Sequence, residues 1–205
     1  MAIVLDGTSG ATLPVPLAVA QGGTGSTTLT LTSPVIAGTP TGVGVLTSST
    51  AVASTSGTSI DFTGIPSWAK RITVMFNGVS TNGTSTIQLQ IGSGSIITTG
   101  YVGAGSYALN GSSVTGLNFT TGLAICISIT GQASNIFSGH AILTLVSGNS
   151  WVMSDLLCAA GAATYNGIVM GAASLTLSSA LDRVRITTVN GTDLFDAGSI
   201  NILYE

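Results

Sequence analysis

The sequence predicts an all-β protein: an extended N-terminal anchor segment followed by an antiparallel, jelly-roll-like β-sandwich. Three observations lead there. Apolar and polar residues alternate with period two in Ile72/Val74/Phe76, Ile87/Leu89/Ile91, Ala141/Leu143/Leu145 and Val184/Ile186, which puts each set on one sheet face. Asn-Gly pairs recur at Asn77-Gly78, Asn82-Gly83, Asn110-Gly111, Asn166-Gly167 and Asn190-Gly191, and Asn-Gly favours the positive φ of hairpin turns. No stretch reads as a helix; Ala159-Ala-Gly-Ala-Ala163 is alanine-rich but short and interrupted by glycine.

Taken in order, residues 1–57 form a turn-rich segment, with Val19-Ala-Gln-Gly-Gly-Thr-Gly-Ser-Thr-Thr28, Thr39-Pro-Thr-Gly42 and Ser54-Thr-Ser-Gly57. Such stretches bury too little apolar area to fold alone. Alternation in Thr28-Leu-Thr-Leu-Thr32 marks short strands that need partners. Residues 58–205 form the sandwich domain. Its expected strands are 59–62, 71–79, 86–91, 100–107, 123–129, 137–146, 150–159, 167–177, 183–189 and 199–204. Short strands with frequent turn signals indicate a sandwich or jelly roll.

Charge is scarce: 5% of the 205 residues, with a formal net charge of −3. Nucleic-acid binding rests on Lys and Arg, and only Lys70, Arg71, Arg183 and Arg185 are present. These read as solubilising edge charges or as partners of Asp182, Asp193 or Asp196. No run of about 20 apolar residues suggests a membrane-spanning helix. The start, Met1-Ala-Ile-Val-Leu-Asp6, lacks the basic and apolar regions of an export signal. A membrane β-barrel is therefore disfavoured, and no membrane insertion is expected. Cys126 and Cys158 lie in apolar stretches and read as small core residues.

Chemistry-bearing residues are few. His140, the one histidine, sits in a strand pattern with no acid nearby in sequence and reads as a strand-face or core residue. No metal or cofactor site is expected, because one histidine and scattered aspartates do not make a ligand set. Asp155, in the apolar strand Trp151-Val-Met-Ser-Asp-Leu-Leu157, is the acid most expected to have a shifted pKa. It reads as a hydrogen-bonded strand aspartate or an interface residue. Gly22-Gly-Thr-Gly25 lacks the Lys-Ser/Thr of a phosphate loop. Trp68, Tyr101, Tyr107, Trp151 and Tyr165 are candidates for stacking on sugars, against a core or interface role. Tyr107, Asn110 and Tyr165 flank turn signals and are the candidate receptor-binding residues.

Two kinds of stretch carry a resemblance. The segment Val19–Thr28 resembles the glycine-rich stretch near the start of tailed-bacteriophage tail-fibre and other tail proteins. The runs Asp61-Phe-Thr-Gly-Ile-Pro-Ser-Trp68 through Ser85, and Leu181-Asp-Arg-Val-Arg185 through Glu205, are similar to a recurrent phage tail-protein β-domain. With Gly100-Tyr101 they cover about half of the chain.

The resemblance implies a virion protein of the phage tail, made in the host cytoplasm: a homotrimeric fibre or spike that meets the host surface. It implies an N-terminal segment seated on other tail proteins, with Val4, Leu5, Leu17 and Val19 as its candidate attachment residues. The displayed C-terminal domain is then expected to bind a cell-surface glycan or protein. The family supplies no catalytic residues, and the expected function is attachment without catalysis. The chain departs from a typical fibre in having no long stalk. A charge-poor, Ser/Thr-rich composition fits large subunit interfaces. The rivals are a tail or capsid decoration protein that binds no receptor, and a polysaccharide depolymerase, which needs paired carboxylates in a groove.

Overall fold

The inward-facing apolar sets of the described strands form one core between two antiparallel sheets. The computed structural model describes residues 46–109, 114–125, 133, 135–161 and 166–205, and within these no residue is helical. The chain divides into two compact units between Val43 and Gly44, and every described residue lies in the second.

The strands are β1 (Thr47–Ser48), β2 (Val52–Ala53), β3 (Ser59–Thr63), β4 (Arg71–Thr81), β5 (Ile87–Ser93), β6 (Ser95–Ile96) and β7 (Val102–Leu109). They continue as β8 (Thr115–Phe119), β9 (Leu123–Ala124), β10 (Ile136–Ser147), β11 (Ser150–Ala160), β12 (Gly167–Thr176), β13 (Arg183–Thr188) and β14 (Phe195–Tyr204). The larger sheet runs β1-β14-β4-β10-β11-β12-β7-β8, with β2 also on β14; the smaller runs β3-β13-β5-β6, with β9 also on β5. The chain crosses between sheets repeatedly, from β3 to β4 to β5 and again from β12 to β13 to β14.

Period-two alternation decides which side chains enter the core. Ile72, Val74 and Phe76 of β4, Ile87, Leu89 and Ile91 of β5, Ala141 and Leu143 of β10, and Val184 and Ile186 of β13 are all buried in one cluster. Leu145 packs partly buried against it. Tyr101 ties the sheets together. It precedes β7 of the larger sheet, yet its Oη accepts from Ile91 N–H of β5 at 2.7 Å and donates to Ile97 O at 3.0 Å.

Several expectations change. Residues 46–57, grouped by composition with the N-terminal segment, contribute β1 and β2, which pair with β14. Asn77-Gly78 is not a turn: both residues lie inside β4, whose register shifts there against β10 and β14. Gly78 and Gly198 adopt φ of 64° and 89°. A side chain on Gly198 would collide with the carbonyl of Gly78, so the paired glycines let two bulged strands meet. Cys158 is not a core residue but exposed. On β11 the odd positions Trp151, Met153, Leu157 and Ala159 face inward, so Cys158 must face out whatever its polarity. Cys126 and the expected strand at 28–32 lie outside the described residues.

Candidate functional site: a polar groove on the smaller sheet

The outward positions of the smaller sheet alternate with its core positions and carry a different chemistry. In Ile87-Gln-Leu-Gln-Ile91 the isoleucines and leucine enter the core, so Gln88 and Gln90 take the opposite face. Register then sets two polar rows across three strands. One is Gln90–Arg185–Asp61, the other Gln88–Thr187–Ser59.

Each row is held by hydrogen bonds. Arg185 grips Asp61 with both arms, Nε to Oδ1 at 2.7 Å and Nη2 to Oδ2 at 2.8 Å. That contact raises the Arg185 pKa above its ordinary value. Gln90 Nε2 donates to Thr121 O, and Thr121 Oγ1 donates to Gln88 Oε1, both at 2.8 Å. Thr121 thus roofs both glutamines, which are 4% exposed. Thr187 Oγ1 donates to Thr58 O at 2.8 Å.

At one end of the rows the 190–193 turn closes on itself. Asn190 Oδ1 accepts from Thr188 Oγ1 at 2.8 Å, and Asn190 Nδ2 donates to Asp193 Oδ1 at 2.6 Å. Asp193 Oδ2 also accepts from Ser85 N–H at 2.9 Å. Together these groups bound a groove of about 310 Å³, lined by Thr98, Thr121, Arg185, Thr187, Asn190 and their neighbours. Its donors and acceptors are hydroxyls, amides and the Arg185 guanidinium, whose charge Asp61 matches from beside the groove, a lining suited to a neutral, hydroxyl-rich ligand.

Of the expected receptor-binding and attachment residues, only Tyr107 is among the described residues. Tyr107 lies on β7 of the larger sheet, partly buried against the core. Asn110, Tyr165, Val4, Leu5, Leu17 and Val19 lie outside the described residues. The proposed stacking surface does not assemble among the described aromatics, since Tyr101 and Trp151 are buried, at 2% and 3% exposure. Burial pushes the Tyr101 pKa up to about 12. Trp68 is exposed and tilts against Tyr204, with ring centroids 5.6 Å apart.

Of the expected ion pairs, Arg183 does meet Asp182, at 2.7 Å, while Arg185 takes Asp61. The Arg183 contact holds the Asp182 carboxyl below its usual range, aided by Gly94 N–H. His140 is exposed on β10. Among the described residues no three His, Cys, Asp or Glu side chains gather as a metal site.

Among the described residues, Asp155 is the acid with the most altered environment. It faces the core from β11, and among the described residues neither carboxylate oxygen has a hydrogen-bond partner, unlike the bonded strand aspartate that was one expectation for it. Desolvation raises its pKa to about 7. Its cross-strand neighbours Ala141 and Gly171 carry no side-chain group that could bond it.

The sequence reading missed Gln88, Gln90 and Thr121. The glutamines were legible as the polar phase of the β5 alternation; Thr121 was not, because it reaches them from a loop. Compared with protein-family models, with curated proteins and with solved structures, the chain shows no match to any of them.

Proposed function

We propose that this chain is a structural protein of a phage virion, a tail fibre or spike that mediates host-surface attachment without catalysis. In this reading it works as a homotrimer, seats its N-terminal segment on other tail proteins and displays the sandwich. It is carried by one observation: Gln90 and Arg185 of one row, the latter's charge matched by Asp61, and Gln88, Thr187 and Ser59 of the other line a polar groove on an otherwise charge-poor chain. Neutral surface glycans present the complementary hydroxyl groups. The tail-protein resemblance of the segments 61–85 and 181–205 supports the same reading, because they supply Asp61, Arg185, Thr187 and Asn190.

A second reading, a tail or capsid protein that binds no receptor, draws on a different detail. Gln88 and Gln90 already bond Thr121, which leaves fewer free donors for a ligand. The full chain applied to an array of bacterial surface polysaccharides separates the two. Binding that Arg185→Ala weakens supports attachment through the groove. Binding indifferent to Arg185→Ala moves the site elsewhere, and no binding to glycans or intact cells favours the second reading.

A further inference from the structure

The outward face of the larger sheet has the opposite character to the groove. On β10, β11, β12, β7 and β8 the outward positions include Val102, Val152, Leu156, Ile168 and Met170, all at least 42% exposed. Register sets them side by side: Leu156 opposite Met170, Cys158 opposite Ile168, and Val152 and Val102 flanking Ser174. No Lys, Arg, Asp or Glu occupies an outward position on these five strands. Monomeric proteins rarely leave an apolar area of this extent open to water.

We infer that this face is where copies of this chain meet. Three features favour a second copy over other partners. The first is size: at a strand spacing of about 4.8 Å and a rise of about 3.3 Å per residue, the five strands present roughly 700 Å². A stable protein interface takes about 800 Å² from each partner.

The second is relief. Val102, Ala104, Asn118, Val152 and Ala172 line a trough of about 610 Å³. A ridge formed by Leu156 and Met170 stands beside it, so one copy carries both the projection and the recess. Sheets stacked face to face interdigitate side chains in this way. The third is charge. Basic residues that would hold an anionic lipid or nucleic acid are missing from these positions. A face without Lys, Arg, Asp or Glu, whose imidazole is that of His140 opposite Leu156, sets few like charges together when it meets itself.

The inference rests on the proposed assembly of several copies, not on what that assembly binds. Cys158, toward one end of the face beside Leu156 and opposite Ile168, reports its accessibility. The experiment takes the full chain, measures its mass by light scattering, and follows alkylation of Cys158 by peptide-level mass spectrometry. The reference is the same thiol in the chain unfolded in guanidinium.

The expected result is an oligomer in which Cys158 reacts about tenfold slower than in the unfolded chain, or slower still. Met170→Glu should give a monomer with fast alkylation, while Leu194→Glu, exposed away from this face, should stay assembled. An oligomer whose Cys158 reacts at the unfolded rate overturns the inference and leaves the assembly intact, formed elsewhere. A monomer with fast Cys158 overturns both. A monomer with slow Cys158 also overturns the inference, since the chain then covers its own face. The wild-type measurement decides even if Met170→Glu does not fold.

Discussion

Asp155 of β11 lies against Gly171 of β12 so closely that a β-carbon on the glycine would sit 2.6 Å from Asp155 Oδ1. The carboxyl occupies space that only a missing side chain provides. Gly171→Ala is expected to destabilise the sandwich by about 1–3 kcal/mol, the usual cost of overpacking. In an Asp155→Ala background the same substitution should cost far less. A double-mutant cycle from urea unfolding measures this coupling, and additive effects would show that the two residues do not compete for space.

Asp155 also makes stability depend on pH. Unfolded, the carboxyl ionises near its ordinary 3.8; folded, it holds its proton up to about 7. The folded state binds the extra proton between these values. Its contribution is therefore fully present below pH 4, shrinks as pH rises through the window, and is gone above 7. The full swing is on the order of 4 kcal/mol. Asp155→Asn should remove this slope, so that its melting temperature exceeds wild type at pH 8 by more than at pH 4. Parallel profiles for the two proteins would place the titration elsewhere.

Tyr101→Phe deletes the hydroxyl that satisfies Ile91 N–H and Ile97 O. Leaving a buried strand N–H unpaired costs about 1–3 kcal/mol. The midpoint of urea unfolding should fall with an unchanged m-value. Because Tyr101 links the two sheets, amides around 87–97 should show the largest loss of hydrogen-exchange protection.

Asp61→Ala and Arg185→Ala should each change stability by less than about 1 kcal/mol. Their side chains are 37% and 35% exposed, and solvent screens such pairs. Any effect should diminish in high salt. A large loss in either variant would mean that the pair anchors the β3–β13 ladder rather than merely decorating it.

Most of the sandwich was legible because its core strands alternate cleanly. Ile72-Thr-Val-Met-Phe76 and Ile87-Gln-Leu-Gln-Ile91 announce both the core face and the outer face. The misreadings have local causes. Leu156-Leu-Cys-Ala-Ala160 is apolar throughout, so composition hides the phase that turns Cys158 outward. Asn77-Gly78 has turn chemistry, but flanking strands on both sides hold it in a bulge. Thr47–Ser48 and Val52–Ala53 are too short to show alternation, and Thr115–Phe119 alternates only at Leu117 and Phe119, so the strand geometry of all three comes from the neighbours they pair with. The groove was half legible: its floor follows from β5 and β13, while its roof, Thr121, depends on where a loop crosses.

The strand β14 fills a place between β4 and the short β1 and β2, though well over a hundred residues separate it from each of them. A ribosome adding about 5–20 residues per second finishes β14 roughly ten seconds after β4 has emerged. Throughout that interval the β4 edge is open and Ile72, Val74 and Phe76 lack the neighbouring strand beside them. Of the described strands, β14 is made last, and the larger sheet can join β1 and β2 to β4 only once it has arrived.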